Sequence, residues 1–266
     1  MKFWLISFLI FFISEVSHTQ ETSLILEKRL KVEADQIEVD NVGNIFLLRN
    51  GAISKYDISG SFIQQNSAMS LGGITTLDAS NALKMVLYFR DLSQITYLDN
   101  QLGSRGENVA LDQLGYTQIT QTCRSYNDGL WIYDQVSFEL IRLNEYLEVT
   151  AQSGNLNQIL DFTPEPTYMR ENNNWLYVSD EQGILVFDWY GSYTKTIPVK
   201  GITKFVAKAD RLFFIQDDYL VLYYLKTGAR AGIKLVIEEV NDFTVFENKL
   251  LLITQNELVI YRINVK

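Results

Sequence analysis

The chain has 266 residues, of which 47% are hydrophobic and 13% aromatic, with only 3 prolines. This composition is that of a folding chain and excludes disorder over most of its length. The formal net charge of -9 excludes, on average, attraction to a nucleic-acid backbone or to an anionic membrane surface. We therefore expect no nucleic-acid partner.

The amino-terminal segment has the layout of a secretory signal peptide. Lys2 precedes an apolar run over residues 3–13, which is about eleven residues long against the roughly 20 that a membrane-spanning helix needs. Ser17 and Thr19 are small residues at the positions that signal peptidase reads before Gln20. We predict a signal at residues 1–19 and a single exported domain at residues 20–266. The domain is expected to be soluble in the periplasm or secreted, without direct membrane insertion.

Histidine and cysteine are each represented by one residue. His18 lies inside the predicted signal, so the mature chain would have no histidine for Ser-His or Cys-His catalysis or for an imidazole-bound metal. Cys123 has no second cysteine with which to form an internal disulfide. We expect Cys123 to be a small buried apolar residue and the fold to depend on its core.

A repeated unit runs through the rest of the chain. Each copy has a short strand, a turn rich in Asn, Asp or Gly, a strongly apolar central strand and further alternating strands. The six central strands are predicted to begin at Ile45, Met85, Leu130, Trp175, Leu212 and Leu250. Their spacing of about 40 residues is typical of four-stranded propeller blades. The sequence therefore predicts an all-β fold, a six-bladed β-propeller.

The last unit predicts how the ring closes. It contains only three strands, at residues 243–246, 250–253 and 258–263, and so lacks an outer strand. The segment at residues 23–32 precedes the first complete unit and has strand character. We expect it to join the last blade, with a frayed amino-terminal tail as the alternative.

The longest departure from the repeat lies at residues 147–166. An insertion of this kind emerges on one face of a repeat protein, where loops often bind partners. The alternative is a purely structural connection between blades.

One blade carries a family resemblance. Residues 175–180 read WLYVSD, residues 183–188 read GILVFD, and a turn glycine follows at Gly191. This stretch resembles the blades of NHL-type and TolB-type six-bladed propellers. The signal, the acidity and the small ring also resemble exported propellers of Bacteroidota, which include the periplasmic plug component of the type IX secretion translocon. That resemblance implies a plug-like subunit as one alternative function.

Lactonase-type six-bladed propellers, which the fold also resembles, use carboxylates and amides at the central channel to hold a metal. The matching positions here are Glu38, Asp78 and Glu171 on inner strands, with Asn41 and Asn81 nearby. These oxygen ligands suit Ca²⁺. Acidic and amide residues are also the usual turn formers, so we predict no cofactor and keep a metal-dependent lactonase-like hydrolase as an alternative.

A second set of polar residues lies on or beside the inner strands of neighbouring blades. Its members are Arg124, Tyr126, Arg170, Glu171 and Lys208. If they converge, they form a cationic channel mouth suited to a carboxylate or an acidic peptide tail. The alternative is that they pair with neighbouring acids in a water-filled channel.

The aromatic residues leave a further choice open. Trp131, Trp175 and Trp189, with the tyrosines beside them, are expected either to pack between blades or to be displayed as anchors for a partner. With no catalytic constellation in the mature chain, we predict a non-enzymatic exported scaffold or accessory subunit. Its predicted partner is another protein, for example an outer-membrane complex.

Overall fold

The computed structural model describes residues 22–66, 72–237 and 239–265. The predicted signal at residues 1–19 lies outside the described residues. Within them, six four-stranded antiparallel sheets follow one another along the chain. Inner strands of consecutive sheets contact each other from the second sheet to the sixth, and the inner strand of the first sheet contacts that of the sixth. The first and second sheets share a buried apolar cluster. The predicted six-bladed propeller is confirmed.

The strands of each blade are consecutive, except in the last blade. In chain order the strands are β1 (Thr22–Lys31), β2 (Gln36–Val39), β3 (Ile45–Arg49), β4 (Ala52–Tyr56), β5 (Phe62–Asn66), β6 (Thr76–Asp78), β7 (Met85–Phe89), β8 (Gln94–Leu98), β9 (Val109–Ala110), β10 (Ile119–Arg124), β11 (Leu130–Asp134), β12 (Glu139–Leu143), β13 (Val149–Gln152), β14 (Tyr168–Asn172), β15 (Trp175–Asp180), β16 (Gly183–Phe187), β17 (Tyr193–Ile197), β18 (Phe205–Lys208), β19 (Arg211–Gln216), β20 (Tyr219–Tyr224), β21 (Arg230–Lys234), β22 (Asp242–Phe246), β23 (Lys249–Ile253) and β24 (Glu257–Val265). Blades 1 to 5 are β2–β5, β6–β9, β10–β13, β14–β17 and β18–β21, and blade 6 is β22–β24 with β1. Short 3₁₀ turns lie at Arg90–Leu92 and Asp112–Leu114, and a helix, α1, spans Leu156–Leu160.

The central strands are apolar on both sides because each blade lies between two others. Between blades 4 and 5, Tyr177 and Val186 pack against Phe205 in one buried cluster. Between blades 3 and 4, Trp131 packs with Leu176 in another. Strands covered on both faces carry continuous apolar runs rather than alternation. The core of this protein is therefore a ring of interfaces between sheets.

The Asn- and Asp-rich turns have a backbone reason. Asn173 and Asn174 join β14 to β15 with φ of 51° and 63°, and Asp217 and Asp218 join β19 to β20 with φ of 48° and 62°. Two-residue hairpins of the I′ type need positive φ at both central residues, which Asn and Asp tolerate better than most. The repeated turn signal in the sequence marks these hairpins.

The loops fall on two opposite faces of the ring. We define the upper face as the loops that join first to second strands and third to fourth strands within blades. These loops are residues 40–44, 57–61, 79–84, 99–108, 125–129, 144–148, 173–174, 188–192, 209–210, 225–229 and 247–248. The remaining loops form the lower face.

Strand β1 closes the ring as the outer strand of blade 6. It pairs antiparallel with β24 from Thr22 opposite Val265 to Lys31 opposite Glu257, with one bulge. Leu24 packs on the cluster of blades 5 and 6, and Leu30 on that of blades 6 and 1. The closure prediction is confirmed, and the alternative of a frayed tail is wrong.

The predicted insertion at residues 147–166 is shorter than expected because β13 and α1 both lie within it. Leu156 is buried, and Leu160 and Phe162 pack against the cluster between blades 3 and 4. The Tyr133 hydroxyl donates to the carbonyl of Pro164 (3.0 Å). The segment is thus tied to the core as a connection between blades.

Removal of β1 tests the closure. A chain that begins at Val32 should lose about 2 kcal/mol or more of unfolding free energy, because the partly buried Leu24 and Leu30 each lose apolar contact worth about 1 kcal/mol. Chemical unfolding measures this loss. A synthetic peptide of residues 22–31 should restore stability when added. Equal stability of the shortened and full chains would contradict the closure, and Arg29→Gln, an exposed change on the same strand, is the control.

Candidate functional site

The central channel is crossed by an arginine. Arg170, on the inner strand of blade 4, places Nη2 3.0 Å from Glu38 Oε2 in blade 1 and Nη1 against Asp78 Oδ1 in blade 2. Blade 1 lies opposite blade 4 in a ring of six. The Arg170 side chain therefore reaches across the channel, and its guanidinium links blade 4 to blades 1 and 2.

A lysine makes a second link beside it. Lys204 Nζ lies 2.8 Å from Asp242 Oδ2 in blade 6 and 3.2 Å from Glu38 Oε1. The ammonium also donates to the carbonyl of Ile37 (2.8 Å). Burial lowers the pKa of Lys204, but the charges of Asp242 and Glu38 outweigh burial and leave the pKa above its ordinary value. We call Glu38, Asp78, Arg170, Lys204 and Asp242 the channel bridge.

The two aspartates of the channel bridge have opposite pKa shifts. Burial raises the pKa of Asp78, but the charge of Arg170 and hydrogen bonds from Ser80 and from the Arg124 backbone outweigh it, so the pKa is lowered. For Asp242 burial dominates, and its pKa is raised despite the nearby Lys204. The channel bridge holds three carboxylates against two cations.

The three weak metal candidates do not form one site. Glu38 and Asp78 both contact the Arg170 guanidinium, which takes the place between them that a cation would need. Glu171 faces blade 3 instead. Within residues 22–66, 72–237 and 239–265, no group of three or more His, Cys, Asp or Glu could hold a metal ion. The residues present do not fit a lactonase-type Ca²⁺ site.

Glu171 organises the interface with blade 3. Its carboxylate accepts hydrogen bonds from Ser125 Oγ (2.5 Å), Trp131 Nε1 (2.7 Å) and the Tyr126 backbone N–H (3.1 Å). The Arg142 Nε donates to the same Ser125 hydroxyl (2.7 Å). A carboxylate with three donors is firmly placed and fixes the turn that carries Tyr126.

Aromatic side chains pack against Arg142, which belongs to this hydrogen-bond network. The guanidinium carbon of Arg142 is 3.5 Å from the centroid of the Trp189 ring. Tyr126 packs on the same Trp189 at 5.6 Å between centroids, and Tyr190 follows on the loop. We call Tyr126, Trp189 and Tyr190 with Arg142 the aromatic platform. Arginine stacked under a ring restrains the ring while leaving its other side accessible.

Exposed aromatic residues concentrate near this platform. Those described are Phe62, Tyr126, Tyr146, Trp175, Tyr190 and Tyr219. Four of them belong to the upper face or border it in blades 3 and 4, where Tyr126, Tyr146 and Tyr190 are 55%, 75% and 71% exposed. Trp131 is buried, whereas Trp175 is exposed. Both expected placements of aromatic residues, buried between blades and displayed on a face, therefore occur.

The predicted channel mouth is a cavity of about 450 Å³ on the upper face. Arg170, Glu171 and Lys208 line it together. Lys208 lies over the Phe246 ring (4.6 Å), and burial lowers its pKa. No described carboxylate lies within 4 Å of its amine.

The other two predicted mouth residues lie outside that lining. Arg124 Nη2 pairs with Asp128 Oδ1 (3.1 Å), while Tyr126 belongs to the aromatic platform. Cys123 is buried as expected, and burial raises its thiol pKa well above the usual range. Sequence reasoning missed Lys204, Asp242 and Arg142, which act across blades and carry no local motif.

No protein-family model matches the sequence, and no curated protein matches it. Solved structures do match the chain. The chain is similar to virginiamycin B lyase from Staphylococcus aureus, at 12% identity and a TM-score of 0.61 over 91% of this chain and 99% of that chain. It is similar to the Pan2 WD40 domain of Neurospora crassa, at 8% identity and a TM-score of 0.64 over 91% and 96%.

A third similar structure is PorZ, a surface component of the type IX secretion system of Porphyromonas gingivalis. Identity is 11% and the TM-score 0.55, over 92% of this chain but 39% of that chain. Likenesses this low in identity show the propeller fold, and the NHL, TolB and Bacteroidota resemblances stay predictions. Separately, no helix among the described residues is long and apolar enough to span a membrane.

Replacement of Arg170 tests the channel bridge. Arg170→Met should cost about 3–5 kcal/mol of unfolding free energy at pH 7, because it leaves buried carboxylates without a cation. The lowered pKa of Asp78 means that the pair stabilises above the ordinary carboxyl pKa of about 3.9 and loses this effect as the pH falls. The difference between variant and wild type should therefore shrink as the pH falls below about 3.9.

Unfolding by guanidinium chloride, at pH 7 and at a pH below about 3.9, measures this difference in unfolding free energy. The matched control is Arg49→Met, which removes the exposed pair with Glu33 and should cost less than about 1 kcal/mol. A cost for Arg170→Met equal to that of the control would contradict the proposed importance of the channel bridge.

Proposed function

We propose that this protein is a non-enzymatic exported scaffold that holds another protein on the upper face of blades 3 and 4. The observation that carries the proposal is the concentration of exposed aromatic residues there. Tyrosine, tryptophan and arginine are the residues that most often dominate protein interfaces. Tyr219, by contrast, is the one exposed aromatic described on the lower face.

The contacts that restrain these aromatic side chains favour a binding surface over exposure without a function. Tyr126 is held by the backbone hydrogen bond to Glu171 and by contact with Trp189. Trp189 is in turn restrained by Arg142. A partner that docks on restrained aromatic rings loses less conformational entropy than one that must order them.

The channel mouth adds a charged element to the proposal. Lys208 offers an ammonium with no described carboxylate within 4 Å, although the charges of Glu247 and Glu38 act on it. It lies beside Arg170 in a cavity that Glu38, Asp40, Glu171 and Glu247 also line. A carboxylate or an acidic peptide tail of the partner would complement Lys208. In this proposal Tyr126 and Lys208 contact the partner, whereas Arg170, Glu171 and Arg124 position the surface.

The non-enzymatic part of the proposal draws on one of the similar structures. A histidine-to-alanine variant of virginiamycin B lyase is described as catalytically inactive. The only histidine of this chain is His18, which belongs to the predicted signal. The channel carboxylates are engaged by Arg170 and Lys204. These observations favour binding over lyase-like or lactonase-like chemistry.

A more specific form of the proposal names the partner as an outer-membrane complex, with the protein as a plug-like component of a type IX translocon. The predicted signal at residues 1–19 supports export. The likeness to PorZ supports this form at the level of the fold only.

A capture experiment from native cells tests the protein-binding function. The tagged protein should retain a partner, and the double variant Tyr126→Ala with Tyr190→Ala should reduce its recovery about tenfold or more, since each interface tyrosine contributes about 1 kcal/mol or more. Quantitative mass spectrometry of the captured fraction measures the loss.

Tyr219→Ala is the matched control, because Tyr219 is an exposed tyrosine on the opposite face. It should retain the partner at the wild-type level. Recovery of a lone monomer from every fraction, membranes included, would count against the proposal, as would equal losses in both variants.

The metal-dependent alternative has its own test. Melting temperatures with Ca²⁺ and with a chelator should agree, because Arg170 already neutralises Glu38 and Asp78. Differential scanning fluorimetry measures both. A fall in melting temperature with chelator that disappears in Glu38→Gln would instead support the hydrolase.

A further inference from the structure

A second cavity lies between blades 4 and 5 and opens on the upper face. Its volume is about 370 Å³, and its lining includes Trp175, Tyr177, Val186, Lys195, Leu225 and Lys226. It shares none of the lining residues of the channel mouth except Ala209. We call it the blade 4–5 cleft. Its volume is at the scale of pockets that hold small molecules.

The floor of the cleft is one face of blade 4. Tyr177 lies directly opposite Val186, which lies opposite Lys195, so the three side chains share a face. Tyr177 packs edge-on against Phe205 of blade 5 at 6.1 Å between centroids, which identifies this as the face toward blade 5. Trp175 lies two residues before Tyr177 on the same face and is 39% exposed.

The opposite wall comes from loops of blade 5. Leu225 and Lys226 belong to one of these loops, and Ala209 to the other. Asn173 Nδ2 donates to the Ala209 carbonyl (3.0 Å), and Asn172 Nδ2 donates to the same oxygen (3.2 Å). These bonds fix the wall to blade 4. The cleft is therefore formed before any ligand arrives.

The polar groups of the cleft favour an anion. Lys195 and Lys226 have no ion pair within 4 Å in the described part of the chain, although the whole chain is acidic. The acid in the lining, Asp210, lies 3.7 Å from the guanidinium of Arg211. Tyr177 lines the same cleft and is protonated at neutral pH, and burial raises its pKa further, to about 12.

We propose that the blade 4–5 cleft binds a small aromatic carboxylate. The ring of the ligand packs on Trp175 and Leu225, above the buried floor of Tyr177 and Val186, and its carboxylate faces Lys195 and Lys226. An apolar floor with a few charged groups at the rim is the usual composition of a small-molecule pocket. The inference does not depend on the protein-binding function.

Isothermal titration of the full chain with 2-naphthoate, and with its neutral amide as the comparison, tests the assignment. Naphthoate should bind, and the amide should bind about fivefold or more weakly, because the amide lacks the charge that pairs with the two lysines. Trp175→Ala should weaken naphthoate binding about tenfold. The double variant Lys195→Gln with Lys226→Gln should make acid and amide bind equally.

Lys234→Gln, an exposed lysine of blade 5 outside the cleft, is the matched control and should leave binding unchanged. An acetylated peptide that ends in phenylalanine is a third ligand. Binding of that peptide alone would overturn the small-molecule assignment. Equal binding of acid and amide to wild type, or no effect of Trp175→Ala, would overturn the site. Capture of a protein partner by the aromatic platform is measured separately, so the two proposals can fail independently.

Discussion

Burial of both faces of every blade is the constraint on which the rest of this structure depends. A sheet whose central strands are buried throughout, such as Leu130–Asp134 or Gly183–Phe187, is stable only between two others. This condition needs a closed ring, since an open array would leave two faces in water. The ring then creates the rest: a central channel, two loop faces and clefts between neighbouring blades.

The charged side chains in the central channel are a consequence of the closed ring. Six inner strands converge, and their polar side chains come within reach of blades that are far apart in sequence. Arg170 meets Glu38 from the opposite side of the ring. Such a buried pair is weak evidence for net stability, but it opposes any arrangement of blades that would separate the charges. We regard the channel bridge as a device that fixes blade position.

The repeat and the closure could be read from the sequence because both depend on local patterns. Apolar runs after Asn- or Asp-rich turns mark the hairpins, and a three-stranded last unit implies a donated strand. The candidate site could be predicted only in part. Arg170 and Glu38 could be placed on inner strands, but their pairing, the role of Lys204 and the stacking of Arg142 on Trp189 depend on contacts between blades. For residues 147–166 the sequence left a binding loop and a structural connection open, because Leu156 and Phe162 follow no regular apolar period that would place them in the core.

The pairing of β1 with β24 also bears on the order of folding. Thr22 lies opposite Val265, so the contact that completes the ring joins nearly the first and last described residues. Contacts of such high sequence separation form slowly, because the loop-closure entropy must be overcome before they stabilise the chain. Until β24 has been synthesised, β1 has no edge to join. The nascent chain therefore remains an incomplete ring until its last strand has been made.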